Sequence, residues 1–525
     1  MTLPTLPQLT ALARAGAVGR AWELFEQAGF AVRSNDPAAL AVKGRMLKGR
    51  ARDAVGELRR VLYAEAAAAY SAANTISPAP YLAINAATLR LLAGDAAGAR
   101  GAAAALLAQR DGPALDTPYF LAATRAEALL LLGNRAEAET DMAAAARIDP
   151  DGWADRAATV AQLREIAAAQ GTDSAWIDTF APPASLHFAG HMGIADGGAS
   201  EAQLKALLHQ HLGTHPVGFA WGALAAGADI IIAEALVAAG AQLRVVLPCP
   251  PAQFEAQSVV PAGPAWSARF HALIGQAGSV RIAADSATSV HDPLATAHAG
   301  DLAIGGALSN AAQLASSAMQ LIVLDEAGGG ANTARQAARW RGEHGAQHLL
   351  TVPRDAAVEA IFPPEQPDSA RQLAVHLCVL HEDLARSRAL SGEQLSAIAE
   401  GVAAALSGLP RGAIRAGPGG WEAAITDLPA ALAAARRLDG LGSLAVGAHL
   451  AIGPLIADPA SGALVPFGPA PALARRLAAL AQTGTTLGSD ALAVTLCARG
   501  ASDCRSELYY LWEDELGGPV HLLTG

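Results

Sequence analysis

Cysteine is nearly absent: Cys249, Cys378, Cys497 and Cys504 are the four in 525 residues. So few thiols exclude a disulfide framework, and none has the CxxC spacing of a zinc site, so a reducing cytoplasm is the expected setting. Charge is sparse as well, at 16% of residues, and its balance is −11 with a pI near 5.7. That balance argues against sequence-independent nucleic-acid binding, which needs a cationic face. Long apolar runs are missing: the best window of about 18 residues is broken by Asp229 and Glu234, so no membrane span is expected. The N-terminus, MTLPTLPQLTALARAG, lacks the charged start and apolar core of a signal peptide. What is abundant is apolar side chain, 52% of the chain and much of it alanine. That suits close-packed helices, and the length implies two to four domains.

The most informative stretch runs from Val217 to Pro250. Gly222, Gly227 and Ala228 are small residues where backbone approaches something closely. Ile230, Ile231, Ile232, Ala235, Leu236 and Val237 supply a buried helix face. Leu243 to Leu247 has the apolar continuity of a strand covered on both faces, and Pro248 stops it. A helix N-terminus placed at the end of a parallel sheet attracts anions, above all phosphates. A second strand run, Leu321 to Leu324, leads into Asp325-Glu326-Ala327-Gly328-Gly329-Gly330-Ala331-Asn332-Thr333. Glycines between a strand and a helix form either a phosphate cradle or a flexible turn.

Up to about Gln170 the chain is helical and repetitive. Small residues recur at spacings of roughly 33 to 45 residues, which matches helix-pair repeats. Gly133, Ala138, Met142, Ala145 and Pro150 resemble the glycine, alanine, large-apolar, alanine and proline positions of a tetratricopeptide repeat. Gly94, Ala99 and Ala103 echo them, as do Gly16, Ala21, Phe25 and Ala28, and more loosely Gly49, Ala54 and Leu58. A generic alanine-rich bundle is the plainer alternative. Tyr81 to Asp95 and Thr117 to Asn134 also resemble the TRAFs-binding repeat region of MAP-kinase-kinase-kinase regulators. These resemblances imply an all-α repeat domain over residues 1–170 that binds a protein partner.

Gly171 to Ala184 reads as a linker by its prolines and lost periodicity. A strand at Ser185 to Phe188 opens the next domain, and Gly190 and Gly193 form a turn. Phe254, Trp266, Phe270 and Ile274 suggest a helical cap, Ser279 to Asp285 a strand, and Asn310 to Ala318 a helix. Alternating strands and helices indicate a doubly wound parallel sheet over residues 185–355. His209, His211 and His215 sit near a helix end, where solvated polar residues are the ordinary reading and a metal site needs three or four converging ligands. His191 lies in the loop after the first strand, where such sheets bind ligands.

The pattern Gly222, Gly227-Ala228-Asp229, Glu234-Ala235-Leu236, Gly240 and Val245 to Pro248 resembles the Rossmann-like superfamily that includes the lonely-guy nucleotide phosphoribohydrolases and many non-catalytic nucleotide sensors. Those enzymes carry a PGGxGTxxE loop that holds a ligand phosphate and places a catalytic glutamate. Here Gly329, Gly330 and Thr333 match, Asn332 replaces the third glycine, and Gln336 stands at the glutamate. An amide hydrogen-bonds but is neither an acid nor a base at neutral pH. The resemblance therefore implies a retained pocket for a nucleotide or nucleotide-derived small molecule. Its ligand-binding residues would be Gly190, His191, Gly222, Gly227, Asp229, Gly328, Gly329, Gly330, Asn332 and Thr333. Hydrolysis of an N-glycosidic bond would need Glu326 or Glu234 in the pocket instead of Gln336.

Ala356 to Gln372 reads as a second linker. The strand and helix order after Leu373, with PFGPAPALARRLAALAQTG, resembles the class III adenylate/guanylate cyclase domain, an α+β fold, over residues 372–525. Such cyclases hold two metal ions, Mg²⁺ or Mn²⁺, on two aspartates. Asp383 falls at the first aspartate, as a metal ligand. The second position, in the hairpin tip Gly417-Pro418, is a proline. The glycine turn for the triphosphate is Arg386-Ser387-Arg388, the ribose-orienting asparagine is Ala472, and the base-reading lysine falls near Ile414. Arg476 matches the arginine that neutralises the developing charge. Asp383 and Arg476 would thus be the catalytic remnant of a degenerate domain, able to homodimerise. Glu422 and Asp427 are the nearest acids that could complete a metal pair in an active cyclase. The expectation is a non-catalytic nucleotide-sensing and scaffolding protein, with a divergent cyclase and a nucleotide N-glycosidic hydrolase as alternatives.

Overall fold

The computed structural model describes residues 4–14, 16–108, 117–284, 292–341, 344–355, 358, 371–381, 384, 390–409, 414–417, 419–459, 464–500, 505–510 and 518–524. The chain forms two compact units, Met1–Pro182 and Pro183–Gly525.

The first unit is helical. Its helices are α1 (Leu6–Arg14), α2 (Val18–Gln27), α3 (Pro37–Asp53), α4 (Gly56–Ile76), α5 (Pro80–Leu92), α6 (Ala96–Ala108), α7 (Pro118–Leu131), α8 (Arg135–Ile148), α9 (Trp153–Gln170) and α10 (Ala175–Asp178). Successive helices pack as pairs, α3 on α4, α5 on α6 and α7 on α8. The recurring alanines explain the pairing: Ala99, Ala103, Ala138 and Ala145 are buried, and a methyl group lets two backbones approach without a void. The segment expected as a linker instead carries α10. Trp176 and Ile177 are apolar, and they dock on Leu163 and Ile166 of α9.

A buried polar relay ties α3, α7 and α9 together. Lys48 Nζ donates to Gln162 Oε1 at 3.0 Å, and Gln162 Nε2 donates to Glu127 Oε2 at 2.8 Å. Burial pushes the Glu127 carboxyl up to about 7 and lowers Lys48. Gln162→Leu would orphan both groups at once, so it is expected to destabilise this unit by about 1–3 kcal/mol in urea unfolding. An unchanged midpoint would show that water replaces the amide without loss.

The second unit holds two sheets. The first has the order β4-β3-β2-β1-β5-β6, built from β1 (Ala184–Gly190), β2 (Val217–Gly222), β3 (Gln242–Leu247), β4 (Ser279–Ile282), β5 (Ala318–Leu324) and β6 (Ala346–Thr351). All its pairings are parallel. The helices are α11 (Ala199–Thr214), α12 (Ala228–Ala238), α13 (Pro251–Ser258), α14 (Pro264–Gln276), α15 (Pro293–Gln313) and α16 (Ala331–Trp340). Alternate residues of β1 divide between the faces. Leu186 and Phe188 join the core under α12, whereas Ala189 packs with Ala337 of α16. Strand order reverses between β1 and β5, the switch point where such sheets bind ligands. One expectation is corrected here. The helix placed at Asn310 to Ala318 begins at Pro293 and ends at Gln313, and Ala318 already starts β5. Asp292 caps it at the start, and the flat run of alanine and glycine hides its length.

The second sheet is mixed, in the order β13-β14-β12-β10-β7-β9-β8 with β11 beside β10. It comprises β7 (Arg371–His381), β8 (Ile414–Gly417), β9 (Gly420–Ile425), β10 (Leu444–Ala457), β11 (Leu464–Pro466), β12 (Thr485–Ser489), β13 (Arg505–Tyr510) and β14 (Val520–Thr524). Its helices are α17 (Gly392–Ala405), α18 (Leu428–Asp439), α19 (Ala470–Leu480) and α20 (Asp490–Ala498). The first sheet reaches it through α15, which packs on α20. A methyl group on Gly305 would overlap the Val494 carbonyl oxygen, so the two helices touch backbone to side chain position. Arg281 reaches Asp490 at 2.5 Å and Arg499 reaches Asp301 at 3.0 Å across this joint.

Candidate ligand-binding site

The site begins where β1 ends. A Cβ on Gly190 would overlap the Ala228 side chain and lie 3.0 Å from Val323 Cβ, so β1, α12 and β5 converge on a position only glycine fits. Gly227, at φ 99°, backs against the His191 and Met192 carbonyls, which a Cβ would approach to 3.0 Å. Asp229, in the first turn of α12, fastens these loops: its Oδ1 accepts the Gly190 N–H at 2.8 Å and its Oδ2 the Ala225 N–H at 3.4 Å. Burial pushes its carboxyl up to about 7.

The glycine loop after β5 is a built turn. Asp325 accepts the Gly329 N–H at 2.7 Å and pairs with Arg354, contacts that hold its carboxyl below the usual range. Gly330 caps α16 without a side-chain bond, and the first turn carries no acid. Its early N–H groups and partial positive charge are therefore available to an anion. Thr333 Oγ1 donates to the Gly190 carbonyl at 3.2 Å, which joins this turn to β1.

Between these loops lies a cavity of about 290 Å³. Of the ten residues expected as ligand contacts, Gly190, His191, Asp229, Gly330, Asn332 and Thr333 line it. The other four do not. Gly222 lies under the Phe188 ring, Gly227 backs the β1 loop, and Gly328 and Gly329 shape the turn at positive φ. They fix the site's walls without facing a ligand.

Three polar groups give the cavity its character. His191 Nε2 lies 3.0 Å from the Val352 carbonyl, which can only accept, so the proton sits on Nε2. Burial lowers the pKa of His191. Its Nδ1 is thus a buried lone pair, and it has no partner among the described residues. Gln336 is set by a chain of amides. Gln347 Nε2 donates to Gln320 Oε1 at 2.7 Å, and Gln320 Nε2 donates to His187 Nδ1 at 3.0 Å. That leaves His187 Nε2–H to donate to Gln336 Oε1 at 2.9 Å. Burial keeps His187 neutral, with its pKa pushed down to about 3. The carbonyl end of Gln336 is spoken for, and its NH₂ end remains at a cavity-lining residue. Asp292 is the third. Its Oδ1 caps α15 through the Leu294 N–H at 2.9 Å, and its Oδ2 is buried with no partner among the described residues.

Asp292, Arg354 and Arg371 line the cavity but were not singled out from sequence. Asp292 had a readable signal, since Asp before Pro marks a helix start. The two arginines had none. The acids considered for hydrolysis lie elsewhere: Arg269 holds Glu234 at 2.7 and 2.6 Å, and Glu326 does not line the cavity.

Among the remaining sequence candidates, His211 and His215 do share a face, and His348 joins them with ring centroids 4.4–4.7 Å apart. No group of three potential ligands among the described residues could hold a metal ion. Asp383, Pro418 and the Arg386-Ser387-Arg388 turn lie outside the described residues. Ala472 and Arg476 are exposed on α19. Glu422 pairs with Arg475, and Asp427 caps α18 through the Ala430 N–H at 3.1 Å. Both acids proposed to complete a metal pair are thus already engaged.

Comparison with known proteins gives one family match: the Tetratricopeptide Repeats-Sensor model matches residues 8–90. No curated protein matches the chain significantly. Solved structures similar to it include the adenylyl cyclase CyaB from P. aeruginosa, at 10% identity and a TM-score of 0.25, covering 30% of this chain and 95% of that one. An adenylate cyclase from Trypanosoma brucei is similar at 13% identity and a TM-score of 0.26, covering 30% and 89%. The guanylyl cyclase Cya2 is similar at 14% identity and a TM-score of 0.21, covering 29% and 91%.

Proposed function

We propose that the chain is a nucleotide sensor: the switch-point cavity binds a nucleotide or nucleotide-derived anion without turning it over, and the helical repeats engage a protein partner. The observation that carries this is the pairing of an uncapped helix N-terminus with a buried, unpartnered acceptor, His191 Nδ1, around one cavity. The helix end and Arg354 suit a phosphate. A phosphate dianion has no proton to give His191, so the ligand must also carry a hydroxyl or N–H, as a nucleotide does. Gln336 supports retention without hydrolysis, because an amide cannot exchange a proton in catalysis. The Tetratricopeptide Repeats-Sensor match over residues 8–90 supports a sensing role and a protein partner.

Thermal shift and calorimetric titration against AMP, GMP, ATP, GTP and ADP-ribose test the binding claim. A ligand at about 100 times its Kd should add roughly 2.7 kcal/mol to the unit that binds it. Gly330→Asp is the decisive variant. No heavy atom would meet a Cβ there, and its φ is not positive. Aspartate is a favourable N-cap, so the fold should hold or gain while the new carboxylate occupies and repels the phosphate position. Loss of binding by at least tenfold with an unlowered Tm is expected; unchanged binding would remove the phosphate from α16.

One observation favours a second reading. Asp229 is a cavity carboxyl whose pKa is pushed up to about 7, a value suited to acid–base work at neutral pH. Release of free base from a nucleotide, lost in Asp229→Asn, would replace the sensor with a hydrolase.

A further inference from the structure

Asp292 is hard to account for within the fold alone. Capping α15 needs only its Oδ1, yet Oδ2 is buried without a donor in a residue 8% exposed that lines the cavity. A buried acceptor without a partner is costly, and a ligand N–H would relieve that cost. Its place in the fold says which part of a ligand it meets. The first half of α15 lies over β3, where Ala299 and Ala303 pack on Val246. The N-terminus of α16 stands at the other side of the cavity, by β1 and β5. From β5 to β3 is three strand steps, or about 14 Å at roughly 4.8 Å per step. A phosphate on α16 therefore leaves Asp292 to the opposite end of the molecule. A carboxylate there repels anions and accepts only donors.

Resting on the nucleotide reading above, we propose that Asp292 reads the base, accepting a hydrogen bond from a ring amino group, and so selects amino-bearing over oxo-bearing mononucleotides. The cavity volume of about 290 Å³ lies at the small end of the ligand-pocket range of about 300–1,000 Å³, which suits one nucleotide and not a dinucleotide. Sites that pair a buried polar group with a ligand group discriminate strongly against analogues lacking it.

Two ligand pairs isolate the amino group: AMP against IMP, and CMP against UMP. The full chain is titrated calorimetrically with all four, as wild type and as Asp292→Asn. Asparagine keeps the cap on α15 and adds an N–H that can serve an oxo group, so the variant should fold. The expected result is that the amino member of at least one pair binds wild type about tenfold tighter, and that the variant brings this ratio to one or reverses it. Equal binding within both pairs, preference for the oxo members, or a ratio unchanged by the substitution each overturns base reading by Asp292 while leaving a nucleotide site in place. Absence of binding by all four to wild type overturns this proposal together with the mononucleotide reading it rests on.

Discussion

Gly305→Ala is expected to destabilise the second unit by about 3 kcal/mol, near the upper end for overpacked sites. The new methyl would overlap the Val494 carbonyl, and a backbone oxygen in the middle of α20 cannot swing aside as a side chain can. α15 would have to withdraw from α20. The contacts that bridge the joint would open together: Arg499 with Asp301, Arg281 with Asp490, and the apolar cluster of Val246, Ala299, Leu302, Ala303 and Val494. Gly401→Ala in α17 is the matched control. A Cβ there meets only Leu441 side-chain atoms at 3.5 and 3.8 Å, an ordinary contact, so the helix should gain about 0.5–1 kcal/mol. Urea unfolding of the two variants should move in opposite directions. A loss for Gly305→Ala no greater than about 0.5 kcal/mol would mean that the joint yields freely.

The second large effect is a pH dependence. The Asp229 carboxyl is pushed up to about 7 in the fold by burial, outweighing its two N–H donors, and lies near 3.9 in the unfolded chain. Between those values the fold keeps a proton that the unfolded chain has released. The stability associated with the protonated form is therefore complete below about pH 4 and lost as pH rises through 7. Asparagine does not titrate. The stability of Asp229→Asn relative to wild type should thus increase by about 2 kcal/mol between pH 5 and pH 8. Taking the difference between two proteins removes the opposite trend of His187 and His298, both pushed down to about 3. Denaturant midpoints of both proteins across that range test it. A gap that stays constant, or widens toward acid, would mean that Asp229 is an ordinary ionised carboxylate.

Much of the second unit was legible because burial on two faces leaves a plain mark. Leu243 to Leu247 and Leu321 to Leu324 are continuous apolar runs, and they are β3 and β5. The glycines after β5 marked a turn into a helix, and Gly330, Asn332 and Thr333 do line the cavity. The helix α17 was announced by Ser391 and Gln394, which form a capping box. The helix α15 was not. Gly300, Gly305 and Gly306 weaken its helical signal, and each is a place where another element comes close: Gln336 of α16, Val494 of α20 and Trp221 of β2. Those needs arise from tertiary contacts, which local propensity does not encode. Arg354 and Arg371 were invisible for the same reason, since only folding brings them to the cavity. The orphan atoms of His191 and Asp292 were invisible in a stricter sense. A sequence names a side chain but not which of its atoms has been left without a partner.

The shared helix α15 also bears on how the protein can be divided. One flank of α15 lines the cavity at Ala295, Thr296, Ala299 and Gly300, while Leu302, Ala303 and Gly305 meet α20. A fragment ending at Asp355 would keep every strand of the parallel sheet yet leave that second flank bare, with Asp301 stripped of Arg499. Exposed apolar strips of this kind promote self-association. Soluble expression is therefore expected only when the two sheets are made together, so the smallest inheritable piece that can carry the cavity is the whole of residues 183–525. The boundary between its two sheets is one of topology and not of independence.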